Sequence, residues 1–180
     1  MYGCGCDVRC AAAEQKLSMS SSKLKEILAE LDRLTEAPVP VEDLMREIVK
    51  LLHARMPKYN WVGFYMLEKS PAAQPSVLVL GPFQGAMTPH TRIPLHQGIC
   101  GAAASTGKTV VVDDVSKDPR YLACSVETKS EIVVPLFVRG EVAGELDIDS
   151  FFPAAFSKDD QELVEYCASL VGKQLEKQPA

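Results

Sequence analysis

Two thiols and a run of carboxylates are the side chains best suited to chemistry. Cys124 lies in an irregular polar segment, Tyr121 to Glu131, and loops are where reactive groups tend to be displayed. Cys100 sits between Gly98 and Gly101 at the start of an expected helix. Unpaired N–H groups and the helix dipole there can lower a thiol pKa, while close packing accounts for a small residue equally well. Asp147 and Asp149 stand at i and i+2 of an expected strand, on one side of it. Such a pair either faces solvent or holds one small cation, such as an α-ammonium group, inside a pocket.

Other chemistries lack support in the residues. The three histidines, His53, His90 and His96, are too scattered for a zinc site, and neither GxxxxGK[ST] nor a strand-linked GxGxxG occurs. No organic cofactor and no metal is implied. Acidic residues outnumber basic ones, 24 to 19, so no general positive field draws the chain to nucleic acid or anionic lipid. No stretch reaches the ~18–20 apolar residues of a membrane span, and the N-terminus does not read as a secretory signal. These readings point to a reducing cytoplasm, in which the six cysteines act as thiols, redox groups or metal ligands. Cys4, Cys6 and Cys10 fall in a Gly- and Ala-rich leader, residues 1–21, expected to be disordered.

The elements that must position these groups follow from periodicity. Leu24, Ile27, Leu28, Leu31 and Leu34 recur at helical spacing, and a second helix from near Val41 to Pro57 carries Leu44, Met45, Ile48, Leu51 and Leu52. Tyr59 to Glu68 and Ser76 to Leu80 read as strands joined through Pro71–Pro75, the second ending at Gly81-Pro82. Thr109 to Val112 is a further strand and Asp113 to Ala123 a polar loop. Ile132–Val138, Arg139-Gly140 and Glu141–Asp149 make the clearest hairpin. In its second strand Val142, Leu146 and Ile148 take one face, and Glu141, Glu145, Asp147 and Asp149 the other. The last helix opens on a Ser157/Asp160 capping box and places Cys167 on its apolar stripe, as a core residue. The sum is one α+β domain over 22–176, with an antiparallel sheet flanked by helices.

The runs Asn60-Trp61-Val62-Gly63-Phe64-Tyr65, Leu80-Gly81-Pro82-Phe83-Gln84-Gly85, Arg92-Ile93-Pro94, Gly98-Ile99-Cys100-Gly101, Ser130-Glu131-Ile132-Val133-Val134-Pro135-Leu136 and Leu146-Asp147-Ile148-Asp149-Ser150 occur in one order with Cys124. Together they resemble the GAF-domain free methionine-(R)-sulfoxide reductases over about residues 22 to 175. The resemblance implies a GAF-like fold and reduction of free methionine sulfoxide. It matches Cys124 to the attacking cysteine and Cys100 to a second one used in disulfide exchange. Glu131, Asp147 and Asp149 match the substrate-binding carboxylates, and Trp61 the aromatic wall against which the substrate methyl group packs. Where family members commonly carry a third, resolving cysteine, this chain has His90. The resemblance therefore implies a disulfide between Cys124 and Cys100, recycled by thioredoxin. It also implies a homodimer built on the first helix, whose Leu24, Leu28 and Leu31 stripe a small domain leaves partly uncovered. The alternative reading is a GAF sensory module that binds a small molecule without turnover.

Residue types fit the chemistry so implied. A sulfoxide sulfur accepts a thiolate only when its oxygen is protonated or strongly hydrogen-bonded as the S–O bond breaks. Three carboxyls in one closed pocket repel one another, so one of them keeps a proton near neutrality, and Glu131 is the expected donor.

Overall fold

The structure, a computed structural model, describes residues 21–36, 38–70, 75–123 and 125–178. The N-terminal leader with Cys4, Cys6 and Cys10, most of the Pro71–Pro75 turn and Cys124 lie outside the described residues. In chain order the elements are α1 (Ser21–Leu34), α2 (Val41–Arg55), β1 (Trp61–Glu68), β2 (Val77–Gln84), β3 (Arg92–Pro94), α3 (Gly98–Thr106), β4 (Val110–Val112), β5 (Ser130–Val138), β6 (Glu141–Ser150) and α4 (Lys158–Glu176). The strands form one six-stranded sheet in the order β3-β2-β1-β6-β5-β4, with every pairing antiparallel. The α+β architecture expected from the sequence is the one found.

Alternation along the strands builds two separate apolar clusters, one on each side of the sheet. Val62, Phe64, Ile132, Val134, Leu136, Leu146 and Ile148 meet α1, α2 and α4 through Ile27, Leu31, Ile48, Leu52, Leu163, Val164 and Val171. The opposite face carries Trp61, Tyr65 and Val133 against Ile99, Cys100, Ala103 and Ala104 of α3. Cys167 is fully buried in the first cluster, and burial pushes its thiol pKa up, as a core thiol requires. In α1, Ile27 and Leu31 are fully buried, while Leu24, Leu28 and Leu34 pack half-buried on the same cluster. The leucine stripe therefore covers this chain's own core, and gives no separate argument for a second copy.

Four local expectations change. β1 starts at Trp61 rather than Tyr59, because the Tyr59 N–H is taken by the Met56 carbonyl at 2.9 Å, closing the turn after α2. β2 does not stop at Gly81-Pro82 but continues to Gln84. Gly63 pairs with Phe83 and Tyr65 with Leu80, so Gly81 and Pro82 together oppose Phe64 in a β-bulge. β3 pairs only as far as Val79, which leaves Pro82 on a free strand edge where its missing N–H costs nothing. A second bulge, between Leu136/Phe137 and Gly144/Val142, moves Val142 off the Leu146 face, and it packs with the α3-side cluster. The polar loop after β4 contains a short 3₁₀ turn, Val115–Lys117, capped by Asp114, whose Oδ1 accepts from Ser116 N–H at 3.1 Å, while Val115 N–H donates to the Lys129 carbonyl.

Space rather than conformation requires Gly144. A Cβ there would run into the Tyr65 carbonyl oxygen of the neighbouring strand, far inside van der Waals contact. Gly144→Ala is expected to destabilise the protein by about 1–3 kcal/mol, the range for overpacking a rigid interior, with β1 and β6 forced apart. A denaturant midpoint equal to that of the wild type would refute it.

Candidate active site

The sheet face under α3 is lined with acid. In the register of β1, β6 and β5, Asp149 lies between Trp61 and Glu131, Asp147 between Gly63 and Val133, and Glu145 between Tyr65 and Pro135. All four carboxyl side chains are buried, with residue exposures of 5% for Glu131, 0% for Glu145, 2% for Asp147 and 3% for Asp149. From Glu145 to Asp149 the acidic face of β6 is thus a pocket, whereas Glu141, expected on the same face, is exposed beyond the bulge and pairs with Lys69. Among the described residues no lysine or arginine forms an ion pair with any of the four buried acids, the nearby Arg120 being held by Asp118 at 2.6 Å. Both oxygens of Glu145 and one each of Asp147 and Asp149 have no hydrogen-bond donor.

Removing carboxylates from water disfavours their charged form, and neighbouring acids add repulsion. Glu131 is pushed well above its ordinary value by burial first, then by Asp147 and Asp149. Glu145 and Asp149 are raised in the same way, by burial and then by Asp147. Asp147 is pushed up to about 7 by burial, partly offset by a hydrogen bond from Cys100. Burial and mutual repulsion together favour the protonated forms in this cluster, or a cation among them.

Cys100 reaches the cluster from the first turn of α3. Its Sγ lies 3.5 Å from Asp147 Oδ2 and 3.9 Å from Glu131 Oε1. Both flanking glycines are required. Gly98 has φ +73°, which a side chain rarely adopts, and a Cβ at Gly101 would lie 2.8 Å from the backbone nitrogen of His96. These contacts seat the first turn of α3 tightly enough to aim the thiol at the acids.

An aromatic wall closes the side. The Trp61 indole donates Nε1–H to the Ala86 carbonyl at 3.0 Å and stacks on Phe83 with ring centroids 5.8 Å apart. It lies flat across Gly63, where any Cβ would overlap the ring. The Tyr65 hydroxyl donates to the His90 carbonyl at 2.8 Å, fixing the segment that replaces the expected third cysteine. The His90 ring Nε2 stands 3.2 Å from the Ala123 carbonyl oxygen. Cys124 itself lies outside the described residues, but Ser125 on its other side lines a small cleft together with Trp61, Met87, Thr128, Asp149 and Phe151.

The structure brings Cys100, Glu131, Asp147, Asp149 and Trp61 to one place. Sequence reasoning placed Glu145 on the acidic face without making it part of the site, although its i, i+2 spacing to Asp147 signals it. Tyr65 and Gly63 were also missed as wall and clearance. The Trp-x-Gly-x-Tyr spacing on one strand face was the signal for them.

The chain is similar to known proteins. Residues 40–175 match the model of the GAF domain. The free methionine-R-sulfoxide reductase of Saccharomyces cerevisiae is 44% identical over 115 residues, which are 63% of this chain and 62% of that protein. Less than two thirds of the yeast protein is therefore spanned. The structure of the type II free methionine-R-sulfoxide reductase from Thermoplasma acidophilum is 39% identical with a TM-score of 0.70, covering 76% of this chain and 93% of that one. The Neisseria meningitidis free methionine-R-sulfoxide reductase, solved in complex with its substrate, is 35% identical with a TM-score of 0.77, covering 88% and 93%. With the sheet, the buried acids and these similarities together, the chain belongs to the GAF-domain free methionine-(R)-sulfoxide reductase family.

Proposed function

We propose that the protein reduces free methionine-(R)-sulfoxide to methionine. The observation that carries the reading is the buried group of Glu131, Asp147 and Asp149, without a basic partner among the described residues, beside the Cys100 thiol and the Trp61 ring. An amino-acid ammonium supplies the positive charge such a pocket lacks, and the indole packs against the substrate methyl group. A substrate held by a free α-ammonium is a free amino acid or a chain N-terminus, not a residue in the interior of a chain.

In the proposed reaction the Cys124 thiolate attacks the sulfoxide sulfur while the Glu131 carboxyl gives its proton to the sulfoxide oxygen. The S–O bond breaks, the oxygen, now at the hydroxide level, attacks Cys124 Sγ, and methionine leaves with the electron pair of the Cys124–sulfur bond just formed, so that Cys124 ends as a sulfenic acid. The Cys100 thiol then attacks the sulfenic sulfur, forming a Cys124–Cys100 disulfide and releasing water. Thioredoxin returns both cysteines to thiols by disulfide exchange.

Thioredoxin-coupled NADPH oxidation with free L-methionine-(R)-sulfoxide tests this. Wild type is expected to turn over, with Cys124→Ser and Cys100→Ser each slower by at least about 10³-fold. Absence of turnover in fully reduced wild type, beside an active control enzyme, overturns the reductase reading. Retained turnover in Cys100→Ser alone keeps the reaction and removes Cys100 as the resolving thiol.

A further inference from the structure

The pocket has the donors of a metal site that nothing in the sequence signals. Cys100 Sγ and one oxygen each of Glu131 and Asp147 all lie within 4.8 Å of one another, and all three residues are buried. Tetrahedral zinc, with a Zn–S bond of about 2.3 Å and Zn–O of about 2.1 Å, sets sulfur and oxygen ligands roughly 3.6 Å apart. The thiol-to-carboxylate separations are 3.5 Å to Asp147 and 3.9 Å to Glu131, so two edges of that tetrahedron already exist.

A second observation is independent of those distances. Asp147 Oδ1, on a carboxyl of the converging set, is buried and accepts no hydrogen bond, and so is Asp149 Oδ1, two residues along the same strand. Acids held this way are satisfied by protons or by a cation. A thiolate among the donors selects a thiophilic ion over magnesium or calcium, which prefer oxygen throughout.

We propose that the reduced protein, without substrate, binds one thiophilic divalent cation of the zinc class through Cys100 Sγ, Glu131 and Asp147. On binding, the Cys100 S–H and any proton held by the two carboxyls are released to solvent, and no electron is transferred. A pocket so occupied has neither its thiol nor its acids free for an amino acid.

The test is a titration of the reduced full chain with Zn²⁺ against a competing colorimetric chelator, followed by Co²⁺ substitution. It needs no turnover, so it fails or succeeds separately from the reductase reading. Changing Cys4, Cys6 and Cys10 to serine first removes the leader thiols as competing ligands. In that background one metal per chain is expected, with a thiolate-to-cobalt charge-transfer band. Cys100→Ser should abolish the band and weaken zinc at least about 100-fold, and Asp147→Asn should weaken zinc by a similar factor while keeping the band. Cys167→Ser, in the opposite core, should change neither. Circular dichroism confirms that each variant is folded, and Cys100→Ala replaces Cys100→Ser if the latter is not. Substoichiometric binding, or a band that survives loss of the Cys100 thiol, overturns the proposal.

Discussion

Asp147→Asn is expected to lower kcat/KM for free methionine-(R)-sulfoxide by about 10²- to 10³-fold, and at the same time to raise the melting temperature near pH 8. The first effect is the loss of a buried charge that, in the proposed reaction, faces the substrate ammonium, worth about 3–4 kcal/mol when its partner is left in a dry site. The second follows from the direction of the pKa shift. Burial raises the Asp147 carboxyl to about 7, so between the unfolded value and that point the folded protein binds the proton more tightly than the unfolded chain does. Stability is therefore highest at the acid end of this window and is lost as pH rises through about 7, by an amount on the order of a few kcal/mol. Glu131, Glu145 and Asp149, raised by the same burial, add to the same slope. An amide at 147 removes one ionisation and should flatten the curve. Melting temperatures of wild type and variant at pH 5.5 and pH 8 decide it: a variant equally destabilised at both values would mean that Asp147 is a packing residue, not a strained acid.

Asp160→Ala is expected to cost about 3–5 kcal/mol of stability, or roughly 10 °C in melting temperature, without moving the carboxyl cluster. Asp160 is fully buried at the start of α4 and gathers four donors. Lys58 Nζ, Ser157 N and Ser157 Oγ approach Oδ2 at 2.7, 2.8 and 2.5 Å, and the Tyr59 hydroxyl approaches Oδ1. Its removal strips α4 of its capping box and leaves the Lys58 ammonium, whose side chain is 13% exposed, without a counter-charge. Thermal unfolding checks the size, and pH dependence checks the cause. The loss should be of similar size at pH 5.5 and pH 8, unlike the Asp147 effect.

The architecture was legible in the sequence because periodicity is written into it. Helical spacing in Leu44–Leu52 and strict alternation in Leu146–Asp149 leave few alternatives, and Arg139-Gly140 fixes the hairpin. What escaped is what depends on partners. Pro82 reads locally as a strand end, and only the bulge opposite Phe64 and the short β3 make it acceptable inside β2. Val142 fits the alternating pattern, but a bulge reverses its face. Burial of Asp147 and Asp149 was undetermined, because an acid every second residue looks the same on a solvated strand and under a helix. α3, with Ala103 and Ala104 against the sheet, decides it. The family resemblance, rather than periodicity, marked those acids as a set.

The sheet keeps its two faces apart, and this bears on how such a protein can change. The side chains that hold α1, α2 and α4 are those at Val62, Phe64, Ile132, Val134, Leu146 and Ile148, whereas the acids alternate with them and point the other way. Neighbours along the backbone therefore answer to different demands. A substitution at 131, 147 or 149 can alter which molecule is welcome while the framework one residue away is untouched. Recognition in this scaffold can drift over long ancestry without passing through an unfolded intermediate.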